Sequence, residues 1–453
     1  NMYLRAVKLK PNYAEAYRGL AHCSVFLGHL GHLDHAEEYF KMTLMKQKPD
    51  SVIVWNPFEY EVAPYYELAQ VYMHQNKVAD ALGAVDEYIT LSNGKENGQT
   101  LRAQILEMKK VSDFRDGYME KVKELDEKGD VAGLKKFMDA LPPENQADPG
   151  LSYVRNKHFA KKTSSGRDVA IWCGMAFEEW GPQSLEKGVG GSEEAVIRLA
   201  REWARKGWRV TVFNNCGPER ITDTGPAGGV TRIECDPKDY EPPVYRPFWE
   251  FNVADANDVF ISWRSPGVFD HKVNAKVKLL DLHDVPNIMD YQTKRLREIT
   301  KIMLKTQFHR NLLPNVGPDK VAVVGHGVDA REFERDVARN RHRVCYTSSY
   351  DRGLEHLLDM WPAVLKEVPD AELHIAYGWN LFDKICGGNR ERMDWKKTMV
   401  EKMNQPGVIE HGRLSHEDVA DLMSSSGVFA YPAHFEEIFC IAAAKAQVAG
   451  CVP

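Results

Sequence analysis

From Arg167 onward the sequence alternates short apolar runs with amphipathic helical stretches, and this alternation limits the fold more than any other feature. DVAIWCG reads as a short apolar strand, SEEAVIRLAREWARKG as an amphipathic helix and WRVTVFNN as the next strand. Strands and helices alternating at this spacing imply a parallel, doubly wound sheet. Ligands of such sheets bind beyond the carboxyl ends of the strands, so the loops leaving the strands are where site residues are sought.

The first such loop contains GVGGSEEA, Gly188 to Ala195, which runs into a helix N-terminus. Unpaired N–H groups and the helix dipole favour an anion there, and glycines let the backbone come close to it. A tight turn whose Ser192 caps the helix explains the same residues. The sheet continues through DVFISWR and KVKLLDLHDVP, the latter leaving the sheet at His283 and Asp284, and then through KVAVVGHGVD. A second set of units follows: RVCYTSS, ELHIAYGW, GVIEHGRL and GVFAYPAHFEEIF as strands, GLEHLLDMW as a helix with Pro362 opening the next segment, and SHEDVADLMSSS as a helix capped by Ser415. Arg352 falls between a first strand and a helix, where a cation and a helix N-terminus can grip a diphosphate together; a surface arginine in a turn is the alternative. Near the end, Ala442 to Ala449 reads as a small-residue helix closed by Gly450.

Up to about residue 140 the pattern is helical. Tyr65, Leu68, Ala69, Tyr72, Ala81, Val85 and Tyr88 fit a helix-turn-helix repeat of about 34 residues, the tetratricopeptide type. Tyr17, Leu20, Ala21, Ala36 and Phe40 repeat it less cleanly. Tyr3, Ala6 and Pro11 read as the tail of a preceding repeat, so the chain opens inside one. Between the repeats lies an aromatic insertion, SVIVWNPFEYEVAP, expected to cap or bridge them. A further helical pair, Phe114 to Lys128 and Val131 to Leu141, leads into LPPENQADPG, whose Pro, Gly and acidic content marks a boundary. The expected division is therefore a helical-repeat region over 1–141, a linker over 142–166, and two Rossmann-like domains over 167–335 and 336–453.

Composition removes several function classes. A chain of 453 residues suffices for about three domains. A net charge of -6, with no basic stripe interleaved with aromatics, argues against nucleic acid as a partner. No apolar run approaches the ~20 residues of a membrane span. The eight cysteines are dispersed without ligand spacing, which reads as reduced thiols in the cytoplasm. His29, His32 and His35, with Glu38, drift around a helix surface and lack a firm fourth ligand, so they read as a solvated turn; no metal site and no cofactor are expected.

Residues 167–453 resemble a family 4 glycosyltransferase of the GT-B fold, in which two Rossmann-like domains bind a nucleotide-sugar between them. The matching stretches, in order, are GVGGSE, LHDVP, KTQFHRNLLP with GHGVD, SSYDRGLEHLL, PDAELHIAYGW, GRLSHEDVADLM and YPAHFEEIFCIAAAKAQVAG. The resemblance implies that Gly190 and Gly191 lie near the donor's distal phosphate or the acceptor, and that His283 contacts the transferred sugar. It implies further that Arg352 neutralises the pyrophosphate, that Glu437 faces the donor sugar, and that Ser349, Glu436, Phe439, Cys440 and Ile441 lie in the donor's vicinity. A UDP- or GDP-sugar is the implied substrate and a glycan or protein the acceptor, with retention of configuration. The repeats are a candidate surface for a protein partner.

The sequence departs from the family pattern where a second glutamate, eight positions after Glu437, holds the ribose hydroxyls: here it is Lys445. A cation cannot accept those hydrogen bonds. Lys445 either enters the site and meets a phosphate or base, or snorkels to solvent. TSS replaces the usual Gly-Arg-Leu stretch, and Gly-His-Gly the usual Pro-Asn-Gly turn. The family also continues past the Gly-x-Pro exit, so the chain is expected to be truncated at both ends. An active transferase, a silent homologue acting as a repeat-based scaffold, and a nucleotide-sugar epimerase or hydrolase all remain compatible.

Overall fold

The structure, a computed structural model, describes residues 2–26, 32–46, 56–224, 235–291 and 293–453. The chain divides into two compact units, Asn1–Phe137 and Met138–Pro453.

The first unit is helical: Met2–Leu9, Ala14–Phe26, Leu33–Met45, Ala63–His74, Val78–Leu91 and Glu96–Glu127. Helices consecutive in sequence pack on one another. Ala21, Ala36, Phe40, Leu68, Ala69, Tyr72, Ala81 and Val85, the positions expected to carry the repeat, are buried together. Alanine at the helix crossings lets the backbones approach while Phe40 and Tyr72 fill the space beside them. Residues 51–55 of the aromatic insertion lie outside the described residues. The rest of it ties back to the second helix, Glu59 pairing with Arg18 and the Tyr60 hydroxyl donating to Glu15. One expectation is corrected. Phe114 to Lys128 is not a separate helix but the end of the 32-residue helix Glu96–Glu127. Leu101 and Ile105 carry its buried face from the start, and no proline interrupts it.

The second unit contains two sheets. The first follows the order β3-β4-β2-β1-β5-β6-β7-β8, with β1 Asp168–Trp172, β2 Arg209–Asn214, β3 Ile221–Thr222, β4 Val244–Pro247, β5 Asn257–Trp263, β6 Ala275–Asp281, β7 Lys301–Leu304 and β8 Val321–Val323. All pairings are parallel except β3 with β4. The second sheet, wholly parallel, follows the order β11-β10-β9-β12, with β9 Asn340–Tyr346, β10 Glu372–Ile375, β11 Val408–Glu410 and β12 Ser426–Phe429. The period of two along each strand is visible in the cores. Val169 and Ile171 pack against Ile197 and Ala200 of the helix Gly191–Arg205, whereas Ala170 packs with Phe213 and Phe260 on the opposite face. Cys345 and Tyr346 divide between the two faces of the second sheet in the same way. In each sheet the chain enters in the middle and strand order reverses there, at β1 beside β5 and at β9 beside β12. These are the switch points at which doubly wound sheets open a crevice, and the pair of sheets is the two-domain α/β architecture expected.

Two local expectations change. Within 142–166, read as a linker, Asp148 caps a helix Pro149–His158 through the N–H of Gly150. That helix buries Leu151 and Val154, and Arg155 donates to the Trp249 carbonyl at 3.1 Å. Pro362 does not open a segment but lies inside the helix Leu354–Glu367. Its missing N–H frees the Leu358 carbonyl, and the Gln405 side chain donates to that oxygen at 3.1 Å instead. The terminal helix, Ile441–Val448, ends as expected at Gly450, whose φ of +85° suits glycine alone.

Candidate active site

The loops leaving β1, β5, β6, β9 and β12 enclose a cleft of about 1130 Å³ between the two sheets. Gly190, Gly191 and His283 reach it from the first sheet. Ser349, Arg352, Glu436 and Glu437 reach it from the second, with Phe439, Cys440, Ile441 and Lys445 beside them. Residues nominated far apart in sequence thus line one space.

The glycine loop is shaped by its approach to the facing half. Gly188 has a φ of +83°, and a Cβ there would run into the Leu414 carbonyl oxygen. A Cβ on Gly191 would sit 3.3 Å from Ile441. Gly190 is the N-cap of the helix Gly191–Arg205 and has no side chain to cap it; the Glu193 carboxylate folds back toward this end of the helix. Ser192 therefore lies inside the helix and does not cap it.

His283 is buried, its side chain 1% exposed. Its Nε2 lies 3.1 Å from Asp281 Oδ2, and Lys305 Nζ holds the other carboxylate oxygen. Its Nδ1 has no partner among the described residues. The ring meets those of Trp263 at 5.8 Å and His326 at 4.6 Å, and His326 in turn meets Phe439 at 5.2 Å. Burial lowers the pKa of His283, a shift that the neighbouring Asp281 only partly opposes. Burial pulls the pKa of His326 down to about 3, helped by the charges of His283 and Lys305. Burial raises the Asp281 carboxyl, but the hydrogen bond of His283 and the charge of Lys305 outweigh it and hold the group below its ordinary value.

On the second wall, the turn after β9 is tied internally. The Tyr346 hydroxyl donates to the Ser349 carbonyl at 2.7 Å, and Ser349 Oγ donates to Asp351 at 2.7 Å. Gly353, at φ +95°, caps the helix Leu354–Glu367 without a side-chain oxygen. Arg352 is exposed to the cleft, its guanidinium stacked 4.6 Å from the Phe435 ring. Among the described residues no carboxylate lies within ion-pair distance of it. Glu437 accepts from the Tyr431 hydroxyl at 3.1 Å. Cys440 Sγ accepts from the Ala443 N–H at 3.4 Å and so caps the helix Ile441–Val448.

Lys445 lines the cleft and does not snorkel to solvent: its Nζ pairs with Glu194 Oε2 at 2.5 Å, across the cleft. Glu194 also takes Arg198 at 2.8 Å and His416 at 3.4 Å, and Arg198 continues to Glu332 at 2.6 Å. Burial raises the Glu194 carboxyl, but the His416 hydrogen bond and the charges of Lys445 and Arg198 overcome it, and the group is held well below the usual carboxylate range. A second bridge joins the walls where Arg413 grips Glu178 with two bonds, 2.8 and 2.6 Å. Asp281, Lys305, Glu194, Arg413 and His326 were not singled out from sequence. Asp281 left a local signal, an acid two residues before a histidine at a strand end, and His326 lies in the Gly-His-Gly turn already noted.

Of the histidine group in the first unit, His29 lies outside the described residues, and the ring nitrogens of His32 and His35 face each other at 3.3 Å. No described helix is long and apolar enough to cross a membrane.

No family model matches the chain, and no curated protein matches it. Among solved structures, a sucrose-phosphate synthase from Thermosynechococcus elongatus is similar at 15% identity, over 63% of this chain and 80% of that one, with a TM-score of 0.42. The Anabaena protein HepE, solved with UDP-glucose, is similar at 14% identity over 63% and 79%, TM-score 0.41. A mutant O-GlcNAc transferase of Thermobaculum terrenum is similar at 11% identity over 94% and 73%, TM-score 0.30. At such scores the activity of this chain has to be read from its own cleft.

Proposed function

We propose that the second unit is a glycosyltransferase of the family 4 type, moving a sugar from a nucleotide-sugar to a glycan or protein acceptor. The observation that carries this reading is Arg352: a guanidinium in a cleft between two doubly wound sheets, without a carboxylate in ion-pair range, beside the uncapped N-terminus of the helix Leu354–Glu367. A diphosphate supplies the missing charge. As the bond from the anomeric carbon to the diphosphate oxygen breaks, negative charge grows on the leaving group, where Arg352 and the free N–H groups stabilise it; the reading calls for no metal ion. Glu437, oriented by Tyr431, stands beside the sugar as it gains oxocarbenium character. The acceptor hydroxyl attacks on the face the diphosphate leaves, and its proton passes to the departing phosphate, which retains configuration. In this reading the helical unit is of the tetratricopeptide type and takes up a protein, and the enzyme works in the cytoplasm.

Calorimetry with UDP, GDP and their glucose, N-acetylglucosamine and mannose conjugates tests the donor, and proton NMR of the product tests the anomeric outcome. Binding without transfer to any glycan or peptide would favour the silent homologue, a reading supported by Lys445: its ammonium stands where a carboxylate would hold the ribose. No binding at all would remove the nucleotide-sugar from the proposal.

A further inference from the structure

Among the described residues three other than glycine take a positive φ: Asn76, Asn93 and Arg264. Asparagine adopts that backbone readily and arginine rarely does. Arg264, at φ +66°, stands where β5 opens into the cleft. Three hydrogen bonds fix the turn: the Arg264 N–H donates to the Asp281 carbonyl at 2.7 Å, the Ser265 N–H to the Trp263 carbonyl at 2.8 Å, and Ser262 Oγ to the Ser265 carbonyl at 2.5 Å. A strained backbone held this firmly aims one side chain. The guanidinium lies 4.9 Å from the Trp263 ring and clasps both oxygens of Asp284 through Nε and Nη2. Nη1 is left over, since Glu193 Oε1 is 3.9 Å away and beyond hydrogen-bond reach. Both partners of the clasp remain accessible, the Arg264 side chain 38% exposed and that of Asp284 53%.

A guanidinium joined to a carboxylate is a flat unit of no net charge, with N–H donors at one end and lone pairs at the other. A phosphate would gain from Nη1 only to meet Asp284, and an ammonium would meet the reverse. Hydroxyls both give and take, so two neighbouring ones satisfy this edge together; the single hydroxyl of a serine or threonine fills half of it. Beside the pair is an apolar surface. β1 and β6 flank β5, so the loop carrying Phe177 and the loop carrying Asp284 stand on either side of Arg264. Phe177 is 73% exposed and lines the same cleft, and its ring suits the C–H face of a sugar.

We propose that the acceptor is a neutral glycan and that Arg264 determines this specificity: the Arg264–Asp284 pair reads two neighbouring sugar hydroxyls while Phe177 covers the apolar face of the same ring. That this sugar is the acceptor rests on the transferase reading; that a neutral sugar binds here does not.

The test uses the full chain and the methyl glycosides of glucose, galactose, mannose and N-acetylglucosamine. Saturation-transfer NMR, with and without UDP, should show at least one of them bound, and no binding in either condition would overturn the proposal. Arg264→Asn removes the clasp and suits the left-handed backbone, so it should keep the melting temperature and weaken the glycoside at least about tenfold. Phe177→Ala should weaken it about fivefold. In transfer assays Arg264→Lys, which keeps the charge and loses the fork, should raise the acceptor KM at least about tenfold and leave the donor KM as it was. An unchanged acceptor KM would overturn the role of Arg264. Transfer to serine or threonine peptides and to none of the glycosides would overturn the glycan and leave the transferase reading intact. Glycoside binding that depends on Arg264, in a chain that binds no nucleotide-sugar, would sink the transferase reading and support the sugar subsite.

Discussion

The two walls of the cleft hold similar residue types in opposite electrostatic conditions. On the first wall the carboxylates of Asp281 and Glu194 are closely paired: Asp281 lies between His283 and Lys305, and Glu194 lies between Lys445, Arg198 and His416. On the second wall Arg352 stacks on the Phe435 ring and has no carboxylate within ion-pair distance among the described residues, and Glu437 accepts from the Tyr431 hydroxyl. A buried ion is tolerable only when paired, because its desolvation costs several kcal/mol. An exposed ion can wait for a ligand. The first wall therefore reads as a rigid support that aims a few atoms, and the second as the surface that exchanges water for a charged substrate.

The comparison breaks most visibly at Glu194. Glu194→Ala leaves Lys445, Arg198 and His416 around an empty space and should cost about 3–5 kcal/mol of stability, measured by urea denaturation. Lys445→Glu sets a second carboxylate against the first and should destabilise as well, with little direct effect on a phosphate, since the lysine is already engaged. A double-mutant cycle of Glu194→Gln with Lys445→Met should give a coupling of about 0.5–3 kcal/mol; additivity would mean that the pair does not join the walls. The same wall should be acid-sensitive. His326 is held at about 3 and His309 at about 4, both chiefly by burial, whereas an unfolded histidine titrates at about 6.5. The unfolded chain then binds more protons, so stability present above about pH 6.5 is lost as pH falls toward those folded values. Glu194 adds a loss in the same direction below the ordinary carboxylate value. His326→Gln should flatten the upper part of the slope, and an unchanged slope would mean that the ring is not buried neutral.

The contrast between the walls also marks what the sequence could disclose. The alternation beginning at DVAIW revealed both sheets because a parallel strand buried on both faces must be an apolar run, and glycine with proline punctuated the exits. The cleft lining was legible where site residues sit beside such punctuation, as His283, Arg352 and Glu437 do. Glu194 was not, because its importance comes from Lys445, 251 positions away. A glutamate in the first turn of a helix looks the same whether it faces water or the floor of a cleft. The long helix Glu96–Glu127 was misjudged for a related reason: no local stop signal separates its halves, and only the buried Leu101 and Ile105 show where its packing begins.

A smaller effect is expected on the second wall. Arg352→Ala should weaken UDP binding by about 1.5–3 kcal/mol, the scale of hydrogen bonds between charged partners. Its urea midpoint should match that of the unaltered chain, since no buried partner is orphaned. Calorimetry that shows unchanged affinity would remove Arg352 from the site, and a large loss of stability would place it with the supporting wall.

The smallest expected effect is at Phe435, and it asks how far the second wall is organised before a ligand arrives. The ring is 41% exposed and lies 4.6 Å beneath the Arg352 guanidinium. A cation over an aromatic face at an exposed site gains about 0.5–1 kcal/mol, and the ring also limits the rotamers that the arginine samples. Phe435→Ala should therefore weaken UDP binding by no more than about 1 kcal/mol, and combining it with Arg352→Ala should add nothing, since the ring then has no guanidinium to hold. An additive loss would mean that Phe435 touches the ligand itself, through the uridine ring or the sugar face, and would turn it from a support for Arg352 into a contact in its own right. No loss in either background would show that Arg352 finds the diphosphate from a freely sampled position, which is the extreme form of the difference between the two walls.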